Sequence, residues 1–323
     1  MLFVVLCLTS CEDSSALTGE VEIYTEGDVR QIHLNEDSLS VSLSYPDDSS
    51  VSIRYTTDES DVTDTSSLYS GPFNISADTT VKAKAFRDSG VASTLSERRY
   101  YKVTEEFSDK GLLQDRLIEL IADDELGPEG DYNHIGLDSS LADLSSLFDN
   151  EFLQTFNGDI SAWDVSDVSN MSCMFKGAQS FNQPLNDWDV SNVISMDRMF
   201  GVAILFNQPL NDWDVCNVES MNSMFAENYS FNQPLNDWDV SNVLNMDMMF
   251  CLANTFNQDI SSWKLNSLEV ATHMFSSNES FDQDLTGWND DLPDSVIEYD
   301  GIIENCSNMD TTKLPIKLGG STT

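Results

Sequence analysis

Residues 181–190 read FNQPLNDWDV, and the same string returns at 206–215 and 231–240. The interval is 25 residues, and it extends well beyond these copies. Phenylalanines fall at Phe156, Phe181, Phe206, Phe231, Phe256 and Phe281, with tryptophans in step at Trp163, Trp188, Trp213, Trp238, Trp263 and Trp288. A fixed period of roughly 20–50 residues marks a solenoid or a propeller, in which each unit buries its apolar face only against its neighbours. Such an array presents one long surface of equivalent positions, so its default role is binding.

Within a unit the apolar residues keep fixed offsets, as in Phe181, Leu185, Trp188, Val190, Val193, Met196 and Met199-Phe200. The spacing L-x-x-W-x-V predicts an extended segment with Trp188 and Val190 on one inward face, because side chains alternate along a strand. Val193, Met196 and Met199-Phe200 recur every three or four residues and predict a helical or 3₁₀ return. One short strand and one helical turn per unit predict a leucine-rich-repeat geometry, with parallel strands stacked ~4.8 Å apart. Strict periodicity makes the Trp and Met columns core and not a cofactor-binding stripe. Upstream, residues 105–122 predict a helix with an apolar stripe of Leu112, Leu113, Leu117, Leu120 and Ile121, ended by Gly127-Pro128. That helix is placed to cover the open end of a degenerate first repeat, a partner-binding helix being the alternative. The unit MFxxAxxFNQPLNDWDVSNVxxM resembles the repeat of BspA-like leucine-rich-repeat bacterial surface proteins, the mycoplasma-type surface-lipoprotein repeat. The resemblance runs from Phe148 to Trp288 and implies an anchored surface protein for adhesion or host and matrix contact, without a catalytic centre.

Two polar columns accompany the apolar ones. Asn157, Asn182, Asn207, Asn232, Asn257 and finally Asp282 follow each phenylalanine, and a buried amide column can donate to and accept from successive turns. In the second column Asp187 and Asp189 flank inward Trp188, and Asp212, Asp214, Asp237 and Asp239 repeat the arrangement, with Asp164 beside them. Like charges directly opposite across strands are destabilising, by about 1 kcal/mol per pair in water at about 4 Å. Lys264 then replaces the aspartate and suits a charge cap. Two readings stay open: a solvated acidic face screened by salt, or a surface that recruits cationic ligands or Ca²⁺, with Asp187, Asp189, Asp212 and Asp214 as candidate ligands. No other cofactor is called for.

The chain has 323 residues, 56 acidic against 15 basic, and a net charge of −41. That balance excludes nucleic acid and an anionic membrane as partners. Residues 2–8 are an apolar run leading into Leu8-Thr9-Ser10-Cys11. Small residues before a cysteine there resemble the lipobox of bacterial lipoproteins, which implies cleavage before Cys11 and lipidation of Cys11 as the new N-terminus. The departure is the absence of Lys or Arg before the apolar run. No other segment reaches the ~20 apolar residues of a membrane span. Cys173, Cys216, Cys251 and Cys306 sit at different phases of the repeat and form neither a ladder nor a CxxC pair. His33, His134 and His273 make no motif.

Between residues 21 and 104 the pattern changes to short alternating strands separated by turn residues. Segments 39–45, 51–57, 80–86 and 98–103 read as strands, with turns at Tyr45-Pro46-Asp47 and Ser70-Gly71-Pro72. About seven short strands predict an antiparallel, immunoglobulin-like β-sandwich. The run IRYTTDESDVTDTSSLYSGPFNISADTTVKAKAF, residues 53–86, resembles the chitobiase/β-hexosaminidase C-terminal-type module. Tyr55, Thr56, Asp58, Ser60, Tyr69, Gly71, Pro72, Lys82, Ala83 and Ala85 match its pattern, whereas Glu59 stands at its turn glycine and Val62 at its proline. The resemblance implies an accessory sandwich, a spacer or a carbohydrate-associated unit.

The expected organisation is a lipoprotein signal at 1–11, a linker at 12–20 and a β-sandwich at 21–104. A helical cap with a degenerate first repeat follows at 105–155, then a β/α solenoid at 156–290 and a C-terminal cap and tail at 291–323. The expected function is a non-catalytic surface lipoprotein, lipid-anchored in a bacterial cell envelope, whose solenoid binds an extracellular protein or glycan. Carbohydrate capture is the second reading. A hydrolase is the weaker third, since nothing orients a general acid.

Overall fold

The computed structural model describes residues 20–25, 31–32, 38–45, 51–87, 90–122, 127–293 and 298–318. Cys11, the signal at 1–11, most of the linker, His33, Pro46-Asp47 and the tail at 319–323 lie outside the described residues. The chain divides into two compact units, Met1–Lys102 and Val103–Thr323.

The first unit is β-structured, as its alternating pattern predicts. Its strands are β1 (Glu22–Thr25), β2 (Gln31–Ile32), β3 (Leu39–Ser44), β4 (Ser52–Thr56), β5 (Ser67–Leu68), β6 (Phe73–Ile75), β7 (Thr79–Phe86) and β8 (Ser96–Lys102). They form a three-stranded sheet, β1-β3-β6, and a five-stranded sheet, β2-β8-β7-β4-β5. Among the described residues of this unit, β2 alone pairs in parallel, with β8. Alternate residues of both sheets, Val41 and Leu43 from β3 and Val81, Ala83 and Ala85 from β7, meet in one core. The 58–62 turn explains the departure from the family pattern. Glu59 has φ +64°, the left-handed conformation that glycine adopts without strain. Asp58 Oδ1 accepts from Ser60 N at 3.2 Å, and Lys82 Nζ donates to the Glu59 carbonyl at 3.0 Å, so the turn closes around a non-glycine residue. Val62, in place of proline, is buried.

The second unit departs from its predicted elements. Residues 105–122 are not one helix: β9 (Glu105–Phe107) pairs in parallel with β10 (Ile135–Leu137), and α1 covers Lys110–Ala122. Asp109 sets the helix start by accepting from Leu112 N at 3.0 Å. Leu113, Leu117 and Leu120 are buried in the core shared with the repeats, but Leu112 is exposed. The expected strand through Trp188 and Val190 is absent. Leu185 and Val190 instead accept turn hydrogen bonds from Trp188 N at 3.1 Å and Val193 N at 2.9 Å. Nor is there a helical return; 3₁₀ geometry is confined, among the described residues, to Thr286–Asp290, Thr311–Lys313 and Ile316–Leu318. Single parallel bridges link Asn170, Ser195, Ser220, Asn245, Val270 and Glu298 in succession.

Most of the backbone–backbone hydrogen bonds between repeats come from the segment after each bridge. Met196, Arg198, Phe200 and Val202 donate from their backbone N–H groups to the carbonyls of Ser220, Asn222, Met224 and Ala226 at 2.7–2.9 Å. Met221, Ser223, Phe225 and Glu227 do the same to the next unit. Every second N–H therefore faces the following unit. Left-handed residues permit this: Cys173, Arg198, Ser223, Met248 and His273 form one series, and Gly177, Val202, Glu227, Leu252 and Ser277 another, all with φ between +54° and +72°.

Between the backbones lies an aromatic core. The Phe181, Phe206, Phe231 and Phe256 rings stack at 6.0–6.2 Å, and Phe175, Phe200, Phe225 and Phe250 at 5.5–5.6 Å. These spacings exceed the expected strand separation because rings, not strand backbones, set the contact. Phe200 also stacks on Phe206 at 4.0 Å, tying the two columns together. Each tryptophan is buried, and each indole N–H donates to the preceding unit; Trp213 Nε1 reaches the Leu185 carbonyl at 2.8 Å.

Candidate functional site

Asp187, Asp189, Asp212, Asp214, Asp237 and Asp239 are exposed beside the buried tryptophans, and Asp164 is half-buried. Their carboxylates do two different jobs. The aspartate after each tryptophan closes its own turn: Asp189, Asp214 and Asp239 accept from the N–H of Ser191, Cys216 and Ser241 at 3.0–3.1 Å. Asp164 does so with Ser166, through both N–H and hydroxyl. The aspartate before the tryptophan joins units: Asp212 accepts from the Asn186 amide and Asp237 from the Asn211 amide.

The expected confrontation of like charges is therefore relieved in the column before the tryptophans, where an asparagine of the preceding unit donates to Asp212 and to Asp237, but not in the column of Asp189, Asp214 and Asp239. The expected calcium ligands, Asp187, Asp189, Asp212 and Asp214, are not gathered around a common point. Among the described residues no three His, Cys, Asp or Glu side chains come together to hold a metal ion. Lys264 does not cap the column through an ion pair; its Nζ pairs with Asp291 at 2.8 Å.

The asparagine column is a ladder. Asn157 Oδ1 accepts from Asn182 N, and the pattern repeats through Asn207, Asn232 and Asn257 to Asp282 N, at 2.8–2.9 Å. Its members are half-buried, with Asn232 and Asp282 exposed, where full burial was expected. A side chain that reaches one unit along can bond from the rim and needs no interior position.

A second series, Asn192, Asn217 and Asn242, donates to the carbonyls of Ser166, Ser191 and Cys216 at 2.7–2.8 Å. Its signal is the N of each DVxNV string, which is legible in the sequence as a repeat but not as a donor. The same is true of a hollow of about 240 Å³ along the segments after the bridges. Gly201, Ala226 and Cys251 stand there one unit apart, with Arg198 and Met248 exposed at its edge. Lys176, also on the hollow, pairs with Asp149 at 2.9 Å.

Among the described residues the four cysteines, Cys173, Cys216, Cys251 and Cys306, are free. Burial pushes the Cys306 thiol up to about 11, and its Sγ donates to the Phe275 carbonyl. Burial also raises Cys173 and Cys251, whereas the Asp214 carboxylate is the main cause for Cys216. His273 Nε2 lies 3.3 Å from Glu304, and the His134 carbonyl accepts from Thr104 N.

Comparison with known proteins agrees with these two units. Residues 34–97 match the family model described as chitobiase/beta-hexosaminidase C-terminal domain. No curated protein and no solved structure matches the chain. A second family model matches residues 137–233 and again 206–314, together more than half of the chain, over the stacked aromatic and asparagine columns. On that coverage the chain belongs to the family described as Mycoplasma protein of unknown function, DUF285.

Proposed function

We propose that the chain is a non-catalytic, lipid-anchored bacterial surface protein whose repeats form a leucine-rich-repeat-like solenoid of the BspA-like kind. In this reading α1 covers the N-terminal end and the solenoid binds an extracellular protein or glycan in adhesion or matrix contact. One observation carries the proposal. Three successive units present the same outward chemistry, paired aspartates on either side of a buried tryptophan, so a partner with repeated cationic groups can engage several units at once. Carbohydrate capture through the first unit is the second reading, favoured by the chitobiase-type match. Against it, Tyr24 is the exposed aromatic of that unit among the described residues, and one ring makes a small sugar platform.

An array of glycans and matrix proteins tests the choice. The variant Asp189→Asn with Asp214→Asn and Asp239→Asn keeps the Oδ1 acceptor of each turn and removes its charge. It should fold normally and lose array binding. Undiminished binding by this variant, with loss on deleting residues 21–102, would move the function to the first unit. Fatty-acid probe labelling of the full-length chain, lost in Cys11→Ser, tests the anchor.

A further inference from the structure

The hydrogen-bonded stack has two ends, and they differ. At the first row the outward carbonyls belong to Asp143, Ser145, Leu147 and Asp149, the equivalents of Ser220, Asn222, Met224 and Ala226, and α1 takes the middle two. Lys110 Nζ donates to Ser145 O at 2.8 Å and Gln114 Nε2 to Leu147 O at 2.5 Å. At the last row the outward groups are N–H donors. Ala271, His273, Phe275 and Ser277 donate to the carbonyls of Glu298, Asp300, Ile302 and Glu304 at 2.7–3.0 Å. The following turns, Ile302 N to Tyr299 O and Glu304 N to Gly301 O, keep the register of Met274 N to Ala271 O and Ser276 N to His273 O. Gly301 and Asn305 are left-handed, as His273 and Ser277 are. Tyr299, Gly301, Ile303 and Asn305 are therefore the next donors in the series. Among the described residues their N–H groups have no partner.

A hollow of about 250 Å³ lies at this edge, floored by Ile303, Leu314 and Leu318 and rimmed by the exposed carboxylates of Asp300 and Glu304. An unpaired row of backbone donors is a template for another chain. The rows already stacked show what pairs with such donors: a chain of linked turns with left-handed residues four apart, as at Arg198 and Val202, turns every second carbonyl to one side. The carboxylate rim rejects an anion and favours cationic side chains, while the hollow accepts apolar ones.

We propose that this edge is a docking site for a peptide of a partner protein, of apolar and basic residues with glycine at the left-handed positions, which winds into the same linked turns and adds itself as one more row. A second copy of the chain does not fit head to tail, because α1 already occupies the two middle carbonyls of the matching row. The proposal is independent of the acidic column.

The test uses the full chain in about 150 mM salt, where non-specific attraction is screened. The probe is an acetylated and amidated peptide of about eight residues of Val and Lys with Gly at every fourth position, with the same peptide carrying Glu for Lys as control. Residue-resolved amide hydrogen exchange should slow about tenfold or more at Tyr299, Gly301, Ile303 and Asn305 when the lysine peptide binds. The control should leave them unchanged. Asp300→Lys should weaken binding about fivefold or more while leaving the thermal midpoint near that of the parent. Binding without protection of these four amides would overturn the proposal, as would equal protection by the glutamate peptide. Protection that rises with protein concentration alone would assign the edge to a second copy instead. Failure of the aspartate variants on the array would not alter these readouts, so the two ideas fail separately.

Discussion

Asp247 shows what the repeat supplies when it is intact, because there it is broken. Two units earlier, Asp197 Oδ1 accepts from Ser220 Oγ at 2.5 Å and from Asn222 N at 2.9 Å. The position equivalent to Ser220 is Val270, and Asp247 Oδ1 is buried without a partner. Val270→Thr retains a branched side chain and restores the missing hydroxyl. It should stabilise the chain by about 1 kcal/mol, the net worth of a hydrogen bond that rescues a buried acceptor. Urea unfolding measures this, and an unchanged or lowered midpoint would show that the ladder tolerates the gap. Trp213 tests the opposite case. Its ring is 2 % exposed and its N–H satisfies Leu185 O, so Trp213→Ala should cost about 3–5 kcal/mol. Trp213→Phe keeps most of the packing and should cost less. If the alanine variant unfolds at the same urea concentration as the parent, the column does not hold the units together.

At the scale of elements, the 25-residue period and its inward residues were legible in the sequence, but the backbone path was not. Apolar periodicity reports which side chains are buried, and Trp188, Val190, Val193, Met196 and Phe200 are all buried. It does not report where the backbone bonds. Two residues per unit are left-handed, and most are not glycine; Val202, with φ +59°, is β-branched. Left-handed valine carries no sequence signal because its conformation is imposed by neighbouring units. For the same reason the expected strand and helical return became linked turns. The candidate aspartates were legible as outward, yet their asparagine partners were not, since the amide donors sit in a neighbouring unit, 26 residues away. The helix offers a direct test of how the first row is closed. Gln114→Leu leaves the Leu147 carbonyl without its amide donor and should cost about 1 kcal/mol. Hydrogen exchange should accelerate first at Leu144, Ser146 and Phe148, whose N–H groups bond the next row. Uniform acceleration throughout the stack would mean that α1 contributes only to global stability.

Across the whole molecule, the net charge of −41 opposes the compact state. Over residues 127–293 the basic side chains are Lys176, Arg198 and Lys264, set against a repeated aspartate pair in each central unit. The ion pairs that Lys264 makes with Asp291 and Lys176 with Asp149 are partly exposed, as are those of Lys110 with Asp143 and Lys313 with Asp282, and each contributes little. Repulsion between carboxylates is therefore the larger electrostatic effect, and it is the one that salt screens. Raising NaCl from about 10 mM to about 200 mM shortens the screening length from about 30 Å to below 10 Å, comparable to the reach across a few stacked units. The chain should become more stable over that range, read as a higher thermal midpoint. The Asp189→Asn, Asp214→Asn and Asp239→Asn variant removes three charges and keeps the turn acceptors, so its midpoint should start higher and rise less with salt. A midpoint that falls with salt would show that the few ion pairs outweigh the repulsion. A midpoint that rises equally in both chains would place the repulsion outside the column that flanks the tryptophans.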